Sequence, residues 1–267
     1  MTAPPFDYES KVWGGAEVSL RPTSLGALRL RYCLEDLGPV RGVVVELGCG
    51  AGAFARAIAR HRPDLAVVGL DLSERSLRIA REAGARRLVR GDAARLPFRD
   101  GCVDAVVFFD VLEHVARPEA LLREAARTLR PTGLLHALVP CEGSAYTLHG
   151  IASRLGHSPK ERYGGHIQRF TAGELRRLLR GAGFRIRRWR WSGHLLTQVA
   201  DLAYFTALAL RGRNVDANLE TLAAANGPGA RALGAAVKLV ALAGYAESRL
   251  LRAVPAVGVH VTCLREP

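Results

Sequence analysis

Short apolar runs alternate along residues 40–140 with segments whose apolar positions recur every three to four residues. Val43, Val44, Val45 and Leu47 form the first run, broken by Glu46 and closed by glycines, which predicts a buried strand. A helix is expected before it, over 24–37, and another after it, over 53–62. Residues 66–72 read as a second strand, and 74–83 as a helix that Ser73 can cap. Further strands are predicted at 87–90 and 103–109. Pro118 opens a helix over 118–129, Pro131-Thr132-Gly133 stops it, and a fifth strand follows at 134–140. This alternation predicts an α/β fold with a doubly wound, mostly parallel sheet, which binds ligands at the carboxyl ends of its strands.

After Pro140 the pattern changes. Residues 141–170 are polar, with glycines and several histidines. Thr171 and Glu174 have capping-box spacing for a helix that ends at 181–183. Strands are expected at 184–191 and 257–264, and the Ala/Leu-rich sequence between them reads as helical. The organisation expected is a helical lead or cap (1–40), one domain from 41–191 together with 257–267, and an inserted helical cap (192–256).

Net charge is +13 and nearly all of it is arginine, since lysine occurs only at Lys11, Lys160 and Lys238. Either a compositional bias or an anionic partner would account for it. The arginines are spread along the chain, so nucleic acid is not the expected partner. The five cysteines form no C-x-x-C pair, which disfavours a zinc site or a disulfide framework. The first residues show no basic segment followed by an apolar run, so no signal peptide is expected. Asp201 and Lys238 interrupt the two most apolar stretches before either is long enough to span a membrane. A cytoplasmic protein is expected, with peripheral membrane contact through 192–256 and homodimer formation as further possibilities.

Candidate chemistry starts at Glu46-Leu47-Gly48-Cys49-Gly50-Ala51-Gly52, between a strand and a helix. Gly48, Gly50 and Ala53 satisfy a dinucleotide fingerprint, and Asp71 stands where that fingerprint wants an acid. Glu46 argues against a dinucleotide, because a carboxylate there repels a pyrophosphate and attracts an ammonium. Asp92, in Gly91-Asp92-Ala93, can accept a hydrogen bond from an adenine amino group. Phe109 to Val115, FDVLEHV, brings polar groups over the same cleft.

The ordered set ELGCGAG, GLDLS, GDAARLPF, FDVLEHV and LRPTGLL resembles the class I S-adenosylmethionine-dependent methyltransferases. The resemblance spans about residues 40–140, with weaker support from RFTAGELRRLLRGAGF. It implies a Rossmann-like, seven-stranded sheet whose last strand is antiparallel, here with a helical insertion between the last two strands. It implies S-adenosylmethionine as cofactor. Gly48, Cys49, Gly50 and Gly52 would pass under its methionine part, with Glu46 nearby. Asp71 would hold the ribose, Asp92 and Ala93 would read the adenine, and Leu72 would pack on it. Phe109 and Asp110 would lie beside the cofactor.

Leu20-Arg21-Pro22 and Leu28-Arg29-Leu30 further resemble the lead segment of ubiquinone-biosynthesis O-methyltransferases, which implies that Arg29 contacts the cofactor. Those enzymes also carry an acidic-x-x-Glu-His motif, matched by Asp110, Glu113 and His114. The triplet could hold a divalent ion or simply orient the following loop; no metal is assigned. His114 is the first candidate base, followed by His166, His149 and His157. The acceptor expected is a small, lipophilic molecule methylated on oxygen in preference to carbon, such as a quinol, a natural product or a lipid.

Overall fold

The computed structural model describes residue 9 and residues 12–156, 164–211 and 228–266. Helix α1 (Ala27–Asp36) leads into β1 (Gly42–Leu47), α2 (Ala53–His61), β2 (Leu65–Asp71), α3 (Glu74–Glu82), β3 (Leu88–Arg90) and β4 (Val103–Phe109). A 3-10 turn, Leu112–His114, precedes α4 (Pro118–Thr128), β5 (Leu129–Pro140), α5 (Leu148–Arg154) and α6 (Ala172–Gly181). The chain ends with β6 (Phe184–Ser192), α7 (Leu195–Arg211), α8 (Pro228–Leu250) and β7 (Gly258–Arg265).

The strands form one seven-stranded sheet in the order β3-β2-β1-β4-β5-β7-β6. β1 pairs in parallel with β2 and β4, and β4 with β5, whereas β7 runs antiparallel to both β5 and β6. This is the Rossmann-like arrangement with its last strand antiparallel. Chain order reverses between β1 and β4, so a crevice opens where their carboxyl ends diverge.

Both sheet faces are covered, which is why β1 and β4 read as apolar runs interrupted only by Glu46 and Asp104. On one face Leu121, Leu122 and Ala125 of α4 and Leu175 and Leu179 of α6 pack against Val45, Val106 and Phe108. On the other, Leu30, Cys33 and Ile58 of α1 and α2 meet Val44, Ala105 and Val107. Each such aliphatic side chain contributes roughly 1.5–3 kcal/mol by leaving water. The predicted caps form: the Ser73 hydroxyl accepts from the Ser76 N–H, and Thr171 and Glu174 complete a capping box.

A buried polar knot ties α1 to the antiparallel end of the sheet. Asp36 accepts from His136 of β5 (2.9 Å), from Arg188 of β6 (2.6 Å), and from Arg190 and Thr262. Burial opposes its charge, but hydrogen bonds from His136 and Thr262 and the Arg190 guanidinium prevail and hold the carboxyl at about 2.

Two segments differ from expectation. Strand β5 begins at Leu129 and not after the Pro131-Thr132-Gly133 stop, because buried Leu129 already pairs with Val103. The strand then bulges through Thr132, at φ 62°, before regular pairing resumes at Leu134. The polar stretch 141–170 contains α5, whose N-terminus Thr147 caps by accepting from the Gly150 N–H at 2.9 Å. The helices expected between the last two strands are α7 and α8, and none of the described helices is long and apolar enough to cross a membrane.

Candidate functional site

The loop from Gly48 to Gly52 leaves β1 at the crevice. Gly50 sits at φ 52°, and a Cβ there would lie 2.4 Å from the Trp13 carbonyl oxygen. A Cβ on Gly48 would lie 2.6 Å from Val111 Cγ2, so the loop also abuts the segment after β4. Only glycine fits two such close approaches at positive φ. Cys49 is buried beneath the loop, where its Sγ packs toward Gly69.

Asp71, at the end of β2, fastens this loop. Its Oδ2 accepts from the Gly50 N–H at 2.7 Å and its Oδ1 from the Ser73 N–H at 2.9 Å. Burial raises its pKa despite those donors. The N-terminal lead closes the same region: the Trp13 carbonyl accepts from the Ala51 N–H at 2.8 Å. The Glu9 carboxylate accepts from the Ser73 hydroxyl and the Glu74 N–H at the start of α3. Neither Trp13 nor Glu9 stands out in the sequence, because each acts on backbone N–H groups and belongs to no motif.

Glu46 is buried, and its Oε2 has no hydrogen-bond partner. Burial pushes its pKa well up, against the Ala55 N–H and the Arg56 guanidinium, and the Asp71 charge adds to the rise. A cationic partner beside that oxygen would relieve the desolvation. The orphaned oxygen and the glycine cradle together fit a ligand that carries an ammonium.

On the β2–β3 side, Leu72 is 55% exposed, an apolar surface held open at the crevice. Asp92 spends Oδ1 on the Ala94 N–H at 2.8 Å, which fixes the turn after β3, and Ala93 packs at the edge of the core. Phe109, at the end of β4, is buried and stacks on Phe54 at 4.2 Å. Asp110 follows at φ 52°, an uncommon conformation for a residue with a side chain, and pairs with Arg29 at 2.8 Å.

The next turn gathers a second cluster. Glu113 is fully buried, with no hydrogen-bond partner for either carboxylate oxygen, and burial raises its pKa well above the usual range. His114 donates through Nδ1 to the Gly165 carbonyl (2.9 Å), and its ring meets that of His166 edge-on at 4.9 Å. Because a carbonyl oxygen only accepts, Nδ1 carries the proton. Burial, then the neighbouring His166, pushes His114 down to about 4. The His166 Nδ1 lies 3.0 Å from Glu142, just after β5. Two candidate bases far apart in sequence thus meet in space, and Glu142 joins them without any motif to signal it.

Among the described residues, Glu113, His114 and His166 are the group whose ligand atoms, all within 4.8 Å of one another, could share a cation. Asp110 of the acidic-x-x-Glu-His motif turns to Arg29 and away from that group. His149 pairs with Asp201 at 3.3 Å and links α5 to α7. His157 lies outside the described residues.

Residues 45–137, which contain the glycine loop and the end of β4, match the family model of a methyltransferase domain. Over 129 residues the chain is 33% identical to a ubiquinone biosynthesis O-methyltransferase of Bordetella avium, covering 45% of this chain and 53% of that protein. Another match, 40% identical over 121 residues, is a demethylmenaquinone methyltransferase of Tropheryma whipplei, covering 43% and 47%. The chain spans about half the length of the curated relatives it matches. The likeness to solved structures is one of fold. The cyclase SpnF superposes with a TM-score of 0.60 at 21% identity, over 98% of this chain and 88% of that one. The phosphoethanolamine N-methyltransferase 2 of Haemonchus contortus, solved with S-adenosylhomocysteine, gives 0.56 at 17% identity, over 90% and 52%.

Proposed function

We propose that this protein transfers a methyl group from S-adenosylmethionine to a small, lipophilic acceptor, on oxygen in preference to carbon. The observation that carries the reading is the glycine loop fastened to Asp71 beside the unpartnered oxygen of buried Glu46. In it, Gly48, Cys49, Gly50 and Gly52 underlie the methionine part of the donor, and Glu46 faces its ammonium. Asp71 takes the ribose, Leu72, Asp92 and Ala93 the adenine, and Phe109, Asp110 and Arg29 border the crevice. When bound, the sulfonium supplies an already activated methyl group, so the chain's task is orientation and, for a hydroxyl acceptor, proton removal.

For that proton, His166 is better arranged than His114. A pKa of about 4 makes His114 a weak base, and its Nδ1–H is held by the Gly165 carbonyl. His166 has Glu142 3.0 Å from Nδ1, so a carboxylate orients its imidazole, and its Nε2 lies 4.0 Å from the buried Glu113 carboxylate, where a proton taken from the acceptor would be stabilised. Relatives in quinone biosynthesis support a phenolic or quinol acceptor. Exposed Leu195, Leu196 and Val199 on α7 supply apolar surface beside it, which equally suits a membrane face or a second copy of the chain. Against a nucleic-acid substrate, the arginines are spread along the chain and some are engaged internally, as in Arg62–Asp64, Arg127–Glu124 and Arg130–Asp104.

Calorimetry with S-adenosylmethionine, followed by mass spectrometry of catechol and demethylquinol acceptors, tests the reading. Saturable binding and a gain of one methyl are expected, and absence of binding would overturn it. With acceptor in hand, His166→Asn should lower kcat while leaving donor affinity unchanged. A parallel loss of donor affinity would remove His166 from the role of base.

A further inference from the structure

An open cleft of about 430 Å³ lies away from the glycine loop, lined by Glu35 of α1, by Arg188, Trp189 and Arg190 of β6, and by Arg252 and Ala253 after α8. Arg249, at the end of α8, joins its rim by pairing with Glu35 at 3.5 Å. Arg190 pairs with Glu35 at 3.1 Å and also with Asp36, while Arg188 pairs with Asp36 at 2.6 Å. Arg252 has no carboxylate partner among the described residues. Among the described residues, the ion pairs of Arg188, Arg190 and Arg249 are made with Glu35 and Asp36 alone, which with Arg252 leaves two positive charges uncompensated.

Two further features mark the cleft as built for a ligand. The Arg190 guanidinium lies 4.2 Å over the Tyr32 ring, which fixes its plane, and its Nε is buried without a partner. The Tyr32 side chain is fully buried, yet its hydroxyl has no hydrogen-bond partner, and the charges acting on it are those of Arg249, Arg190, Glu35 and Arg252. Unmatched donors and a surplus of two positive charges are what a dianion with several acceptor oxygens satisfies, and guanidinium forks match phosphate geometry.

We propose that this cleft binds a phosphate group, as a phosphate monoester or a diphosphate. The group belongs either to a soluble molecule or to a lipid headgroup, since both present the same oxygens. The site is made by α1, β6 and the end of the inserted helices, and it does not rest on the methyl-transfer reading.

Inorganic pyrophosphate is the first probe, titrated by calorimetry into the full chain at low salt. Saturable binding is expected, weakened about tenfold or more by Arg252→Gln, the scale of one charge-assisted contact. Arg252 is exposed and holds no ion pair, so the variant should melt like the parent. Arg123→Gln, on exposed α4 surface, removes the same charge elsewhere and should leave binding unchanged. Co-sedimentation with phosphatidylcholine vesicles, with and without phosphatidylglycerol, separates the sources. Sedimentation with anionic vesicles that pyrophosphate displaces and Arg252→Gln abolishes assigns a headgroup. Pyrophosphate binding without sedimentation assigns a soluble phosphorylated ligand. No saturable pyrophosphate binding, equal affinity in Arg252→Gln, or equal weakening by Arg123→Gln overturns the proposal. Pyrophosphate binding with no S-adenosylmethionine binding would leave this site standing while the methyl-transfer reading fell.

Discussion

Replacing Asp71 separates two roles that one carboxylate combines. Asp71→Ala removes the acceptor for the Gly50 N–H at 2.7 Å and the Ser73 N–H at 2.9 Å. A hydrogen bond to a charged group contributes about 1.5–3 kcal/mol, and the burial that raises the Asp71 pKa puts these two at the lower end, near 3 kcal/mol together. For a chain of this length that corresponds to a melting temperature lower by roughly 10 °C. The carboxylate has about four acceptor positions, and backbone donors at Gly50, Ser73 and Leu72 account for most of them. Room remains for one ribose hydroxyl, whose loss would weaken donor binding about ten- to a hundredfold. Asp71→Asn keeps one acceptor but turns an amide N–H₂ toward a backbone N–H, so its stability should fall between the other two while its affinity stays near that of alanine. Calorimetry with S-adenosylhomocysteine and thermal melts of all three proteins give both quantities. If Asp71→Ala melts lower but binds within about twofold of the parent, the carboxylate only fastens the loop, and the ribose assignment is refuted.

Gly50→Ala should lose donor binding and some stability, because the new methyl lands on the Trp13 carbonyl at a positive φ; an unchanged melt and affinity would mean that the lead does not close over the loop. Asp36→Ala should destabilise by about 3–5 kcal/mol in urea titrations, since Arg190 and His136 lose a buried partner. Asp36 also predicts an acid dependence. Its folded pKa lies below its unfolded value, so its contribution, roughly 2 kcal/mol, is present above pH 3.8 and lost as pH falls through about 2. Asp36→Asn should flatten that limb of the stability curve. Bridging Ser192 to Gly258 with a short turn should spare donor binding, because α7 and α8 are inserted between β6 and β7, at the edge of the sheet remote from β1 and β2, and abolish transfer to the acceptor; loss of both would make these helices part of the core.

The donor side was legible because it is local. Strand β1, its glycines and the acid at the end of β2 lie within 30 residues, and each obeys a backbone requirement that leaves a mark on residue type. The parallel order and the inserted helices followed from periodicity. What escaped was assembled over long range. Glu142 meets His166 and Glu113 only because β5 ends beside β4, and the Asp36 knot needs four elements to come together. Glu9 and Trp13 work through main-chain partners. Thr132 extends β5 backwards through a left-handed conformation that a β-branched residue gives no reason to expect.

Ser192 and Gly258 are register partners at the ends of β6 and β7, so the chain leaves the sheet and returns to it at one point. Such a junction behaves as a socket. A segment threaded between these two residues starts and ends in register, and within it the Arg252 carbonyl accepts from the Trp191 N–H while Ala256 joins the core. Under the proposed function, a cap grafted at that one seam with those contacts kept would meet a new acceptor while the strand that carries the glycine loop stays as it is.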